Sequence, residues 1–323
     1  MTADVSILIP AYNAEEWIGQ AIDSALAQRN VNVEVVVIDD GSTDGTVDVI
    51  RRYGGDIIWE AAANRGAPAA RNRALALSSA PWVQYLDADD YLELGKVAGQ
   101  LAVLRRHPEA DVLYGPVTIE WYSRVGVERK LEEITEPHDP WVLLARWYLP
   151  QTGSPLWRRA ALMDVGGWRE DQPCCQEHEL YLRLLLANKR FVYHPEGGAV
   201  YRRFEHGTLS TKNPPLVRTE RAKIEARMEQ FLLESGAMTP ERQWAIDQAR
   251  FEMARSAWPQ DRREARDLHS AIVSRPFRPG GTAAPRGYRL AYGLLGFEAA
   301  ERLANVRRAL LNRSLNGVLN ERN

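Results

Sequence analysis

Four short apolar runs in the first part of the chain, at 5–9, 33–38, 57–59 and 82–86, each give way to a polar loop and then to a helical pattern. This alternation constrains the fold more than any other feature. Val35, Val36, Val37 and Ile38 leave no polar face, so the strand they form must be covered on both sides, the condition of a parallel sheet. Trp17, Ile18, Ala21, Ile22, Ala25 and Leu26 recur at helical spacing, with Asn13 and Glu16 as a capping box. Val47, Ile50 and Tyr53 mark a second helix, and Pro68 opens a third that runs to Leu77. Strands and helices in this order predict βαβ units and a mostly parallel, doubly wound α/β sheet. Right-handed crossovers then gather the loops after Ile9, Ile38, Trp59 and Leu86 on one sheet edge, where ligands bind in open α/β folds. That edge would carry Tyr12, Asp39, Asp40, Arg65, Arg71, Asp87 and Asp89.

The fourth run delivers three carboxylates, Asp87, Asp89 and Asp90, in quick succession. Crowded carboxylates raise one another's pKa and call for a cation, basic neighbours or water. These residues alone leave two readings open: a divalent ion holding a phosphorylated substrate, or a solvated turn capping the next helix.

Further along, Leu94, Val97, Leu101 and Leu104 predict a helix, 112–114 a strand, and 117–121 with 125–130 a hairpin. A short helix is expected over 141–149, an extended stretch over 153–157 because Pro155 restrains Ser154, and a helix over 160–165 closed by Gly166 and Gly167. A helix over 177–188 and strands at 191–193 and 200–202 follow. Beyond Pro214 the strand signals stop, and helices are expected at 216–235, 240–257 and 261–274. A Pro- and Gly-bearing linker over 275–286 precedes a last helix to about Arg313.

The bulk numbers exclude little but exclude it firmly. A net charge of −2 over 323 residues gives no global sign of nucleic-acid binding. The first residues lack a basic n-region, and no run approaches the roughly 18 apolar residues of a membrane span. A cytoplasmic protein is expected, with peripheral contact to the inner membrane face as an option. Cys174 and Cys175 are adjacent and lack CxxC spacing, which fits a reducing compartment and no redox task. From Arg275 onward nine Arg stand against three Glu. Arg286, Tyr288, Arg289, Tyr292, Leu294, Leu295 and Phe297 leave two readings open: a helix on an anionic membrane, or one docked on the catalytic domain or on a second subunit in a homodimer.

Five stretches in order resemble the family 2 glycosyltransferases of GT-A fold. They are the opening 5–13 through Pro10, Tyr12 and Asn13; 36–44 around Asp39, Asp40 and Gly41; Asn64, Arg65 and Gly66 with Ala70, Arg71 and Asn72; Asp87, Ala88, Asp89 and Asp90 in the place of a DxD motif; and Gln176 to Arg183. The resemblance implies a catalytic domain over 1–212, with a nucleotide-sugar half to about 115 and an acceptor half over 116–212, followed by a helical extension over 213–323.

It further implies an inverting enzyme that moves a sugar from a nucleoside-diphosphate donor, UDP-sugar favoured, to a hydroxyl of a glycan or lipid-linked saccharide in surface-polysaccharide synthesis. Pro10 and Tyr12 would line the nucleobase pocket, and Asp40 would accept from the pyrimidine imide N–H. Asp87 and Ala88 would face the donor, Arg65 and Arg71 would offset diphosphate charge, and Asp89 would hold Mn²⁺ or Mg²⁺, with His206 reaching the metal or diphosphate. Glu177 stands where the family usually has the Asp of a Glu-Asp pair and would be the base, with Glu179 as its rival. Trp157 and Trp168 would form an acceptor wall or belong to the core. A nucleotidyltransferase and a non-catalytic sugar-nucleotide-binding scaffold are the alternatives.

Overall fold

The computed structural model describes residues 2–204 and 213–320, of which 307–320 by backbone alone. His206 lies outside the described residues. The chain divides into two compact units, Met1–Met228 and Glu229–Asn323.

The first unit is built on a seven-stranded sheet. Its strands in chain order are β1 (Val5–Ala11), β2 (Val33–Asp39), β3 (Ile58–Ala61), β4 (Trp82–Tyr85), β6 (Val112–Tyr114), β9 (Leu156–Arg158) and β10 (Phe191–Tyr193), and they lie side by side as β10-β6-β9-β4-β1-β2-β3. β4, β1, β2 and β3 are parallel neighbours, as the apolar runs require, and every residue of the interior strand β1 is buried. Only β9 runs antiparallel, between β4 and β6. Helices α1 (Ile18–Leu26), α2 (Thr46–Arg51), α3 (Ala67–Leu77), α4 (Lys96–Leu104), α5 (Pro140–Ala145), α6 (Arg159–Asp164) and α7 (Gln176–Leu186) occupy the connections.

The first helix starts later than its sequence predicts. Asn13 does not cap it: its side chain accepts from the Thr43 amide at 2.8 Å, its own amide donates to Ser42 Oγ, and its φ is 48°. Glu15 meanwhile accepts from the Gly45 amide at 3.0 Å. Loop-to-loop bonds with the 42–46 segment outcompete the local capping box, and α1 begins only at Ile18.

Of a second, four-stranded sheet the sequence predicts the hairpin and the strand at 200–202, but neither the strand at 91–92 nor their pairing. The sheet consists of β5 (Tyr91–Leu92), β11 (Ala199–Phe204), β7 (Val117–Ser123) and β8 (Gly126–Glu132), in that spatial order. The chain crosses from one sheet to the other through the acidic stretch, since β4 ends at Tyr85 and β5 begins at Tyr91.

Helix α8 (Pro214–Glu234) runs across the boundary between units; its earlier turns belong to the first, where Arg221 donates to the Ala145 carbonyl and Glu220 accepts from Gln172. The second unit holds α9 (Pro240–Ala257), α10 (Arg262–Ser270) and α11 (Arg286–Asn320) around Phe251, Trp258, Tyr288 and Phe297. Thr239 and Asp261 cap α9 and α10 through side-chain oxygens. Helix α11 bends at Gly296, where φ is 79°, and packs Tyr288 and Phe297 inward while Leu290 and Leu294 remain exposed. No helix among the described residues is long and apolar enough to cross a membrane.

Candidate active site

Asp87, Ala88, Asp89 and Asp90 form a tight turn closed by the Asp90 amide donating to the Asp87 carbonyl at 3.0 Å. The turn sits at the carboxyl end of β4, and two arginines from distant elements hold it there. Arg71, on α3, donates from Nη2 to Asp87 Oδ1 at 2.8 Å and from Nη1 to Gln176 Oε1 at 3.2 Å, with its guanidinium 4.6 Å from the centre of the Trp168 ring. Arg202, on β11, donates its amide to Asp90 Oδ1 at 2.9 Å and its Nη1 to the Asp89 carbonyl at 2.8 Å. Both arginines are buried. Arg71 stands on the predicted sheet edge and here pairs with Asp87; Arg202 is not predicted, because nothing local in the sequence distinguishes it from Arg203.

The acids differ in surroundings. Burial, and then the charge of Asp87, pushes the Asp89 carboxyl up to about 6. Asp90 is driven well above the usual carboxylate range by burial first and by Asp89 and Asp87 second, and its Oδ2 has no partner among the described residues. Ala88 is buried, with 6% of its surface exposed.

Asp40, at the end of β2, is buried and accepts from the Arg65 amide at 2.7 Å and the Gly66 amide at 2.8 Å, one on each oxygen. Each carboxylate oxygen keeps a further lone pair. The Arg65 guanidinium expected to offset diphosphate charge is held instead by Glu170 at 2.8 Å, with 71% of its side chain exposed. The backbone of Arg65 reaches the site through its amide. Gly41 makes this approach feasible: its φ is +76°, and a Cβ there would lie 2.7 Å from the Asn64 amide nitrogen. Gly41→Ala is therefore expected to cost about 1–3 kcal/mol of stability; a denaturation midpoint equal to that of the wild type would contradict the crowding. Pro10 is buried in β1 opposite Ile38, while Tyr12, just beyond that strand, is 52% exposed.

Glu177 lies in the first turn of α7 and accepts from Thr152 Oγ1 at 2.8 Å. Thr152 is fully buried, on a segment that Gln84 and Gln100 pin by donating to the Gly153 and Ser154 carbonyls at 2.7 and 3.0 Å. Lys96 also donates to the Gly153 carbonyl, at 3.3 Å. The charges of Asp87 and Glu177 both stabilise the Arg71 cation against its burial. The acidic turn and the start of α7 thus share one buried guanidinium. Glu179 is elsewhere: it is 2% exposed and ion-paired with Arg183 at 2.8 Å and Arg227 at 3.5 Å.

Trp157 and Trp168 are core residues, 0% and 2% exposed, so they form no acceptor wall. Tyr85 meets both edge-on, at 6.5 and 5.2 Å between ring centres. Cys174 and Cys175 are free thiols whose sulfurs lie 3.7 Å apart, and burial raises the pKa of both.

The carboxyl edge of this mostly parallel sheet thus joins an acidic turn to the start of α7, which bears Glu177, through one buried arginine. A family model described as Glycosyl transferase family 2 matches residues 6–160, and this stretch belongs to that family. The UDP-Glc:alpha-D-GlcNAc-diphosphoundecaprenol beta-1,3-glucosyltransferase WfaP of Escherichia coli is 38% identical over 99 residues, 30% of this chain and 39% of that protein. The succinoglycan biosynthesis protein ExoU of Rhizobium meliloti is 46% identical over 102 residues, 30% of this chain and 29% of its own length. The match therefore spans well under half of either relative. Among solved structures, S. aureus TarS 1–349 in complex with UDP-GlcNAc superposes with a TM-score of 0.59 at 18% identity, covering 81% of this chain and 74% of that one. The mannosyltransferase PcManGT from Pyrobaculum calidifontis, in complex with GDP-Man and Mn2+, covers 98% of this chain and 88% of its own at a TM-score of 0.50 and 16% identity. These likenesses establish the GT-A fold.

Proposed function

We propose that the protein is an inverting, metal-dependent glycosyltransferase that transfers a sugar from a nucleoside-diphosphate donor, with UDP favoured, to a hydroxyl of a glycan or lipid-linked saccharide in surface-polysaccharide assembly. The observation that carries this reading is the bridge from Asp87 through Arg71 to Gln176, which fixes the acidic turn relative to Glu177. The E. coli relative, whose name gives a UDP-glucose donor and a lipid-diphosphate acceptor, supports the choice of substrate class.

Glu177 takes the proton from the acceptor hydroxyl as that oxygen attacks the anomeric carbon from the face opposite the diphosphate. Thr152 holds one carboxylate oxygen, which orients the other. Tyr12 offers an open ring for the base to stack on, and Asp40 retains lone pairs for its imide N–H.

Asp89 fits a small divalent cation: it is a hard oxygen donor whose ionised form is disfavoured by burial and by Asp87, a penalty that a bound cation removes. No group of three or more acidic, histidine or cysteine side chains converges among the described residues, so the diphosphate and water would supply the other ligands. Such a cation would supply charge stabilisation for the departing diphosphate.

Titration with UDP, GDP and dTDP, with and without Mn²⁺, followed by a donor-hydrolysis assay, tests the reading. Nucleotide binding that strengthens with Mn²⁺ and leads to hydrolysis supports it; tight binding without any turnover would instead favour a scaffold. Within that assay, Tyr12→Ala should weaken UDP binding by about tenfold, the scale of one lost aromatic contact. Unchanged UDP affinity would remove the ring from the nucleobase pocket.

A further inference from the structure

One face of the second sheet is open along its outer row and carries side chains there suited to a sugar. In the register of β11 with β7, Tyr201 lies opposite Ile119 and Arg203 opposite Trp121; in that of β7 with β8, Ile119 lies opposite Lys130 and Trp121 opposite Glu128. Paired residues share a face, so Tyr201, Ile119 and Lys130 form one row and Arg203, Trp121 and Glu128 the next. The intervening residues Arg202, Glu120 and Tyr122 point the other way, where Arg202 stacks on Trp17 and Tyr91 and Trp17 meets Tyr122. That second face is filled by the protein itself.

On the first face the inner row is covered, with Ile119 4% exposed and Tyr201 packed against the core, while the outer row is open. Trp121 is 45% exposed, and Glu128 and Lys130 are exposed beside it. The Arg203 guanidinium sits 4.9 Å from the centre of the Trp121 ring and 5.2 Å from that of Tyr201, so both rings restrain it. No carboxylate of the described residues forms a salt bridge with it. The inner end of the face abuts the acidic turn, because the residue next to Tyr201 donates its amide to Asp90. An exposed indole bracketed by a planar cation, an ammonium and a carboxylate suits a pyranose, whose C–H face packs on the ring while its hydroxyls find donors and an acceptor at the rim.

We infer that this face binds the saccharide acceptor, with one pyranose ring on Trp121, its hydroxyls bonded to Arg203, Glu128 and Lys130, and the glycan leading past Tyr201 to the acidic turn. The inference deepens the proposed transferase function and rests on it. It also supplies the aromatic acceptor wall that the buried Trp157 and Trp168 do not.

Saturation-transfer NMR on the full chain with UDP and Mn²⁺, using cellotriose, N-acetylchitotriose and maltotriose as probes, tests it. The wild type should bind at least one trisaccharide, and Trp121→Ala should weaken that binding by about tenfold or more, with Arg203→Met acting in the same direction. Met163→Ala, an apolar truncation on α6 at a residue 52% exposed, should leave the affinity at its wild-type value. Equal affinities in the wild type and Trp121→Ala, or no trisaccharide bound by the wild type, overturn the acceptor face. Failure of the wild type to bind any of UDP, GDP or dTDP overturns the transferase reading itself, so the two failures are distinguishable.

Discussion

Glu177→Gln is expected to bind UDP with wild-type affinity and to lose transfer by about 10²–10⁴-fold, the usual contribution of a positioned base. The substitution is nearly isosteric, and the Gln amide oxygen can still accept from Thr152, so the fold and the donor edge should survive. What disappears is the basic lone pair and the negative charge facing Arg71. The measurement is a pairing of UDP titration with transfer rate on one preparation. Normal turnover would remove Glu177 as base, and Glu179 could not then replace it, because its carboxylate is committed to Arg183 and Arg227.

Replacement of Arg71 should have the second large effect, and on two readouts at once. Arg71 is buried and bridges Asp87 to Gln176, whereas Asp87 keeps 27% of its side chain in contact with water. Removing one partner of a buried pair costs up to about 3–5 kcal/mol, and the partial exposure of Asp87 lowers the expectation for Arg71→Met to about 2–3 kcal/mol. Arg71→Lys restores the charge but not the fork that reaches two acceptors while lying over Trp168, so it should recover much of the stability and little of the activity. Thermal denaturation beside the donor-hydrolysis rate separates these outcomes. Full activity in Arg71→Lys would mean that charge alone suffices and that the bridge to Gln176 is dispensable.

The role of Arg71 illustrates what could be read before folding. Its position after Asn64, Arg65 and Gly66 placed it on the correct sheet edge, since crossover handedness and apolar periodicity are set by neighbours within a few residues. The same local signals located all four loops of the donor edge and the boundaries of α9 to the residue. They misled at Asn13, where a plausible capping box lost to bonds with Ser42 and Thr43 some 30 positions away. They were silent on β5, which is two residues long and exists only because Ala199 and Val200 pair with it.

By its own sequence this chain determined a parallel sheet, an acidic turn at its carboxyl edge and a helical second unit, because burial periodicity and turn chemistry are properties of short segments. Tertiary structure alone decided which groups could act. Residues two apart on a helix point about 200° from each other, so one of Glu177 and Glu179 must turn away from the edge, and packing against Arg183 and Arg227 selected Glu179. Four tryptophans or arginines of similar appearance were likewise sorted by burial: Trp157 and Trp168 went into the core and Arg202 beneath the acidic turn, while Trp121 stayed in water. A side chain's chemistry is fixed by its formula, but its access to a substrate depends on what the distant parts of the chain place around it.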